Sequence, residues 1–347
     1  MNGQLMRREV SDQPDVLTQL AARRGETVGR VRAVAPSCLA GVLLLARGSS
    51  DNAALHARYL MELTTGRPSA LAAPSLWTRY GATTSLTDWV VVAVSQSGRT
   101  PEIVETAERM RRAGATVVSV TNYGDSDLAS ASDAVVLLGA GDELAVPATK
   151  TVTASLLALT HVAAALGDLP WDPAVEQLVS PAVAAVIEDE APVDQALDVV
   201  MDRETVHVGR GYTLPVALES ALKFKETTTK GSRGYASGDF LHGPVAAVDM
   251  HTAVFGYAAS GPTYRDVRDL LTTTQMRGIV SVLVTDAATP FSRGDQLALV
   301  SVPDGLPEPL AAIPLTVRGQ QLAYSATMRA GLDPDRPAGL NKVTITH

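Results

Sequence analysis

Cysteine and aromatic residues are scarce in this chain of 347 residues. Cys38 is the only cysteine, so neither an intrachain disulfide nor a cysteine-based metal cluster can form. This cysteine usage fits a reducing compartment, and we expect a cytoplasmic protein. Aromatic residues make up 4% of the chain while hydrophobic residues make up 46%, a balance that fits an α/β protein rich in Ala, Val and Leu.

Long apolar runs and an excess of positive charge are missing as well. No stretch reaches the roughly 18 uninterrupted apolar residues of a membrane span, and the polar N-terminus lacks the apolar core of a signal peptide. The 29 basic residues are outnumbered by 37 acidic ones, which gives a net charge of -8. We therefore expect no membrane partner and no nucleic-acid partner. An anionic ligand would have to be bound by local groups.

Short apolar runs alternate with helical patterns along the first half of the chain. The runs at 41–46, 89–94, 115–121 and 134–138 are candidate strands, and the segment 101–113 is helix-like. Continuous apolar runs are typical of parallel strands that are covered on both faces. Their alternation with helices predicts an α/β fold with a doubly wound parallel sheet.

Longer helical patterns mark the organisation of the chain into domains. We predict helices over residues 12–34, 148–166 and 181–201, with the first packing on the first domain as an arm. The predicted domains are an N-terminal helical arm (1–35), a first domain (36–170), a second domain (171–330) and a C-terminal tail (331–347).

The second half of the chain repeats the first. The segments 45–48 and 97–98 match 208–211 and 260–261 at one constant offset, since the interval from Gly48 to Gly211 equals the interval from Gly98 to Gly261. Two segments in register over this distance indicate a duplicated domain.

The loop after the predicted strand 89–94 of the first copy is rich in hydroxyl groups. Ser95-Gln96-Ser97-Gly98-Arg99-Thr100 precedes Pro101, which suits the first position of a helix. Hydroxyls, backbone N–H groups and a helix N-terminus can hold a phosphate without a strongly basic pocket. An N-capped turn is the alternative interpretation, since Ser and Thr favour such positions. The matching loop of the second copy, 258–263, is expected to have lost most of these hydroxyls.

The second copy carries acid/base residues where the first copy does not. Glu219, Lys223 and Glu226 are spaced by four and three residues, so they share one helix face. A solvated ion pair is the alternative interpretation. His242 follows in the turn Asp239–Pro244. The remaining histidines that we considered are predicted to be structural, because none has metal-ligand spacing with a carboxylate; they are His161, His207 and His251.

Six segments taken in order resemble the tandem sugar-isomerase (SIS) domain family. They are ARGSSD (46–51), SQSGRTPEI (95–103), AVPATK (145–150), ALESALKFKE (217–226), FLHGP (240–244) and DPDRPAGLNKVT (333–344). The family includes the isomerase half of glucosamine-6-phosphate synthase and isomerase-type glucosamine-6-phosphate deaminases. The resemblance implies two tandem flavodoxin-like SIS domains and chemistry without a cofactor or a metal. The glutaminase half of the synthase is not expected here.

The resemblance also implies roles for individual residues. Glu226 would be the base that moves a proton between C1 and C2, with Glu219 and Lys223 as its close partners. His242 would assist ring opening in the site of a neighbouring subunit, which implies a homodimer, and Lys342 would close over the sugar. The residues that would bind the sugar phosphate are Ser50, Ser95, Gln96, Ser97 and Thr100.

Three positions beside the expected catalytic groups depart from the family pattern. Gly231 and Arg233 replace a His and a carboxylate, and Asp239 replaces a longer Glu. Arg233 and Asp239 are therefore candidate specificity residues. A guanidinium donates hydrogen bonds and accepts none, so Arg233 would favour an acetamido oxygen over a protonated amine.

The reaction expected first is the deaminating isomerisation of glucosamine 6-phosphate to fructose 6-phosphate and ammonia. The second alternative is a dehydratase that eliminates water from N-acetylglucosamine 6-phosphate, and the third is a non-catalytic sugar-phosphate sensor.

Overall fold

The computed structural model of the chain describes residues 2–200, 202–287 and 297–342. These residues form two compact units. The amino-terminal unit contains residues 15–143, 150–173 and 341–342, and the carboxyl-terminal unit contains residues 2–14, 144–149 and the described part of 174–340. The end of the predicted tail, 343–347, lies outside the described residues.

The amino-terminal unit is built on a sheet of five parallel strands. In chain order these are β1 (Gly41–Leu45), β2 (Ser69–Leu71), β3 (Trp89–Val94), β4 (Thr116–Thr121) and β5 (Ala134–Leu137). They lie side by side in the order β2-β1-β3-β4-β5, with Leu43 of β1 opposite both Ala70 and Val91. The doubly wound parallel sheet is therefore confirmed, and the strand order reverses between β1 and β3.

Two helices of this unit precede β1, and the others follow its strands. They are α2 (Gln13–Ala22), α3 (Arg24–Val34), α4 (Ser49–Thr65), α5 (Pro74–Thr78), α6 (Pro101–Arg112), α7 (Asp127–Ser130) and α8 (Lys150–Leu166). The prediction of one helix over 12–34 was wrong, because α2 ends at Ala22 and α3 begins at Arg24. Arg23 lies at this break and donates a hydrogen bond of 3.2 Å to the carbonyl of Leu138.

The carboxyl-terminal unit repeats this sheet. Its parallel strands are β6 (Glu204–Gly209), β7 (Ser232–Ala236), β8 (Thr252–Ala258), β9 (Val280–Thr285) and β10 (Leu297–Ser301), in the order β10-β9-β8-β6-β7. Read in reverse, as β7-β6-β8-β9-β10, this order matches that of the first sheet strand by strand. The start of β10 at Leu297 also follows the start of β5 at Ala134 by the same interval that separates Gly48 from Gly211. The duplicated domain is therefore confirmed at the level of the fold.

The helices of the carboxyl-terminal unit differ from the sequence prediction in one place. They are α1 (Gln4–Ser11), α9 (Val179–Glu188), α10 (Ala191–Val200), α11 (Leu214–Thr228), α12 (Ser237–Leu241), α13 (Tyr264–Met276) and α14 (Glu308–Arg329). The single helix predicted over 181–201 is two helices. The guanidinium of Arg318 donates to the carbonyls of Val186 (3.0 Å) and Asp189 (2.5 Å), and these bonds satisfy the end of α9 where the helix stops.

The predicted arm of residues 1–35 is divided between the units, since α1 belongs to the carboxyl-terminal one. The carboxylate of Asp335 accepts hydrogen bonds from the N–H groups of Leu5 (3.0 Å) and Met6 (2.8 Å). A carboxylate in this position satisfies N–H groups that the first turn of a helix leaves unpaired.

None of the helices in the described ranges is long and apolar enough to cross a membrane.

His207 lies in the core of the carboxyl-terminal unit. Its Nδ1 is 3.1 Å from the Tyr257 hydroxyl and its Nε2 is 3.2 Å from the Thr205 hydroxyl. The imidazole stacks on the Phe255 ring with the centroids 4.8 Å apart. Burial lowers the pKa of His207 to about 3, so the side chain is neutral at physiological pH.

Acid should therefore destabilise the fold through His207. The unfolded chain binds a proton at this side chain below about pH 6.5, whereas the folded chain does so only near pH 3, so stability is lost as the pH falls through this window. Between pH 6.5 and 4.5 the loss should reach about 2.5 kcal/mol. Urea unfolding at several pH values should show a shallower pH dependence for His207→Gln. The same substitution at the exposed His251 is the control. Equal pH dependence of stability in wild type and His207→Gln would contradict the conclusion that His207 is buried in its neutral form.

Candidate functional site

The reversal of strand order in the amino-terminal unit brings two loops to one edge of the sheet. The loop after β1 leads into α4, and the loop Ser95–Thr100 after β3 leads into α6. Neighbouring parallel strands end at the same edge, and open α/β sheets bind ligands in the crevice where the order reverses. Both helices also direct N-terminal N–H groups toward this edge, which favours an anion.

The loop Ser95–Thr100 is fixed by its own hydrogen bonds. The Ser95 hydroxyl accepts from the Gly98 N–H at 3.2 Å, and the Ser97 hydroxyl accepts from the Arg99 N–H at 3.2 Å. Gly98 has a φ of 62°, and a Cβ there would lie 2.5 Å from the Cβ of Ser126. Only glycine fits this turn, so the loop is held in one conformation.

The other predicted phosphate ligands lie in this loop, except for Ser50, which follows β1. Gln96 and Ser97 are partly buried, Ser50 is partly buried in the first turn of α4, and Thr100 precedes α6 without capping it through its side chain. Arg47 pairs with Glu102 at 3.0 Å, which compensates the charge of that guanidinium. Hydroxyls and backbone N–H groups are therefore the main candidate ligands for an anion here.

Lys342 of the tail pairs with a carboxylate that the sequence prediction missed. Its Nζ lies 2.8 Å from Glu143, whose side chain is fully buried. Glu143 also accepts hydrogen bonds from the N–H (3.1 Å) and the hydroxyl (2.8 Å) of Thr151 in the first turn of α8. Glu143 thus fixes the ammonium of Lys342. Its position just before the AVPATK segment is the only signal for it in the sequence.

In the carboxyl-terminal unit, α11 carries the predicted acid/base residues as one ion cluster. The Nζ of Lys223 lies 2.6 Å from Glu226 and 3.5 Å from Glu219. The side chains of Lys223 and Glu219 are 1% and 3% exposed, whereas that of Glu226 is 22% exposed. The structure therefore excludes the solvated ion pair and leaves Glu226 as the member that a ligand can reach.

The first copy shows that the fold does not need charge on this helix face. In the register that relates Gly48 to Gly211, His56 and Leu60 of α4 correspond to Glu219 and Lys223, and each is 1% exposed. A buried leucine packs without a desolvation cost, whereas a buried ammonium has to be offset by well-placed carboxylates. The charges on α11 are thus better explained by function than by packing.

Three further predicted residues lie outside this cluster. His242 is exposed directly after α12, and its N–H donates to the carbonyl of Asp239, which is exposed in the first turn of that helix. Arg233 donates to the exposed carboxylate of Glu204 at 3.1 Å. Glu204 begins β6, so this pair lies at the opposite edge of the sheet from the loops that follow the strands. Recognition of an acetamido group by Arg233 therefore has no support in this geometry.

Comparison with known proteins follows the same division of the chain. The SIS domain profile matches residues 40–165 and 202–305. The glutamine–fructose-6-phosphate aminotransferase (isomerizing) of Gloeobacter violaceus is 31% identical over 98% of this chain and 58% of its own length. The protein of that name from Pyrobaculum aerophilum is 31% identical over 98% of this chain and 57% of its own. The chain spans less than three fifths of these relatives.

Solved structures share the architecture. A candidate phosphosugar isomerase from Silicibacter pomeroyi has 30% identity and a TM-score of 0.85, covering 96% of this chain and 100% of the other. The glucosamine-6-phosphate deaminase of Thermotoga maritima has 21% identity and a TM-score of 0.76, covering 99% and 100%, and it shows the shared fold alone.

Removing the buried ammonium should destabilise the protein. In Lys223→Met the buried carboxylate of Glu219 would lose its ion pair with Lys223, and breaking a buried pair in this way costs roughly 3–5 kcal/mol. The free energy of unfolding in urea measures this loss. Lys225→Met is the matched control, because Lys225 lies exposed on the same helix and should change stability by less than about 0.5 kcal/mol. Equal effects of the two variants would contradict the role of Lys223.

Proposed function

Because this chain belongs to the SIS domain family, we propose that it is an enzyme that moves a proton between C1 and C2 of an amino-sugar 6-phosphate. The curated relatives it matches are named as isomerizing enzymes that act on fructose 6-phosphate and glutamine. The observation that carries the proposal is the buried Glu219–Lys223–Glu226 cluster, in which only Glu226 is substantially accessible.

Glu226 is the proposed base. A ring-opened aldose phosphate has an aldehyde at C1, which makes the proton on C2 acidic, and a positioned carboxylate can remove that proton. General-base catalysis of this kind contributes about 10²- to 10⁴-fold to the rate. Lys223, 2.6 Å from Glu226, would hold the carboxylate in place. Its buried positive charge would also stabilise, through space and without contact, the negative charge that develops on the sugar oxygen.

The free amine at C2 directs the reaction to deamination. Loss of the C2 proton from glucosamine 6-phosphate gives an enamine, and protonation at C1 converts it to an imine at C2. Water adds to this imine, and the C–N bond breaks to give fructose 6-phosphate and ammonia. An N-acetylated amine forms no such imine, so its carbanion would instead expel the C3 hydroxyl as water.

The other predicted residues take supporting roles in the proposal. The loop Ser95–Thr100 and Ser50 bind the phosphate through hydroxyls and N–H groups, each worth roughly 1.5–3 kcal/mol when the acceptor is charged. Lys342 contacts the sugar from the position that Glu143 fixes. His242 assists ring opening in the site of a second subunit, which makes the proposed enzyme a homodimer.

Loss of the Glu226 carboxylate should separate binding from chemistry. Glu226→Gln keeps the size of the side chain, so we expect substrate to bind while turnover falls at least about 100-fold. Exchange of the C2 hydrogen with deuterated water, followed by mass spectrometry, measures the proton transfer directly. Glu204→Gln is the control because that carboxylate is exposed at the start of β6. Exchange at the wild-type rate in Glu226→Gln would mean that another residue is the base.

The identity of the products tests the proposed reaction. Glucosamine 6-phosphate and its N-acetyl form are supplied separately, and ammonia, fructose 6-phosphate and loss of water are assayed. We expect ammonia and fructose 6-phosphate in equal amounts from the free amine. A dehydrated product formed from the acetylated sugar alone would overturn the proposal in favour of a dehydratase, and no turnover of either would favour a sensor.

A further inference from the structure

The carboxyl-terminal unit has its own crevice at the point where its strand order reverses. The loop after β6 contains Gly211, and the loop after β8 contains Ser260, Gly261 and Thr263. At the constant offset between the copies, their counterparts in the amino-terminal unit are Gly48, Ser97, Gly98 and Thr100. The hydroxyls of Ser97 and Thr100 are thus retained in the second copy, and the expectation that its loop had lost most of them was wrong.

A side chain of the protein already occupies this second crevice. The Thr263 hydroxyl donates to the carboxylate of Glu308 at 2.8 Å. A Cβ on Gly261 would lie 2.8 Å from the carboxyl carbon of Glu308, and a Cβ on Gly211 would lie 3.8 Å from one of its oxygens. Gly261 does not have a positive φ, so close approach of the Glu308 carboxylate, rather than backbone conformation, requires a glycine there.

A second carboxylate accepts a hydrogen bond from another donor of the same loop. The N–H of Ser260 donates to Asp286 at 2.6 Å. Burial raises the pKa values of Asp286 and Glu308, and the hydrogen bonds from Ser260 and Thr263 lower them again. The loop donors therefore offset part of the cost of burying two carboxylates, as they would for a bound anion.

The first copy has uncharged residues at both positions. Glu308 corresponds to Ala145 in the register that relates Gly98 to Gly261, and Asp286 corresponds to Asn122 in the register that relates Thr121 to Thr285. We infer that Glu308 and Asp286 are internal ligands that fill the anion site of the second copy, so that the carboxyl-terminal unit binds no phosphate. The inference rests on the proposed function in one respect only: the proposed phosphate loop Ser95–Thr100 supplies the positions with which the second copy is compared.

Replacing the two carboxylates by the residues of the first copy tests the inference. The background is Ser97→Ala/Thr100→Val, in which the proposed phosphate site of the amino-terminal unit is disabled. The melting temperature is measured over a series of inorganic phosphate concentrations at constant ionic strength. In this background we expect phosphate to have lost its specific stabilising effect. Adding Asp286→Asn and Glu308→Ala should restore a rise in melting temperature that grows with phosphate concentration, by a few degrees at roughly 100 times the Kd.

The gained response should depend on the loop. Thr263→Val, which is isosteric and lacks the hydroxyl, should abolish it. A quadruple variant that phosphate stabilises no more than its background, or a response that survives Thr263→Val, overturns the inference. A background that still responds to phosphate as wild type does would contradict the proposed phosphate loop instead, and the increment caused by Asp286→Asn/Glu308→Ala would still decide the inference.

A double-mutant cycle covers the case in which the quadruple variant does not fold. Glu308→Gln keeps the shape of the side chain and removes its charge. Its loss of stability in urea should be smaller in the Thr263→Val background than in the wild type, because the charge-assisted hydrogen bond is already gone. Additive effects of the two substitutions overturn the inference.

Discussion

The reversal of strand order at the centre of each sheet is the constraint on which the rest of this structure depends. Because β1 and β3 are neighbours in one unit and β6 and β8 in the other, the loops after these strands end at the same edge and the helices that follow direct their N-termini there. The backbone alone therefore gives each unit a crevice suited to an anion. The side chains decide what occupies it.

The two copies can be compared position by position, because their sheets have the same strand order. In the amino-terminal unit the loop after β3 has hydroxyls and N–H groups that a ligand can use, and the sequence positions that correspond to Glu308 and Asp286 are Ala145 and Asn122. In the carboxyl-terminal unit the same donors bind Glu308 and Asp286. Two carboxylates suffice to convert a binding crevice into a structural one, because they satisfy the donors that a phosphate would use.

The sequence predicts those parts of the fold that follow from hydrophobic pattern and repetition, and it predicts less where tertiary contacts decide. Continuous apolar runs identified β1, β3, β4 and β5 within a residue or two. The short edge strand β2 has too few residues to show a pattern. The break between α9 and α10 depends on hydrogen bonds from the distant Arg318, so the helical periodicity of 181–201 could not reveal it. For the same reason the sequence did not single out Glu143, whose partners are Lys342 and Thr151, and it gave no sign that Arg233 pairs with Glu204.

The buried charge on α11 gives the strongest physical argument for chemistry in this protein. A helix at the same place in the other copy accommodates Leu60 at the same degree of burial as Lys223, so an apolar residue would satisfy the packing. An ammonium there is tolerated because Glu219 and Glu226 lie within 3.5 and 2.6 Å, and the arrangement costs stability that a leucine would not. Such a cost persists where a charge is used. Because Glu226 alone is substantially accessible, the cluster is suited to hold one oriented carboxylate at its surface.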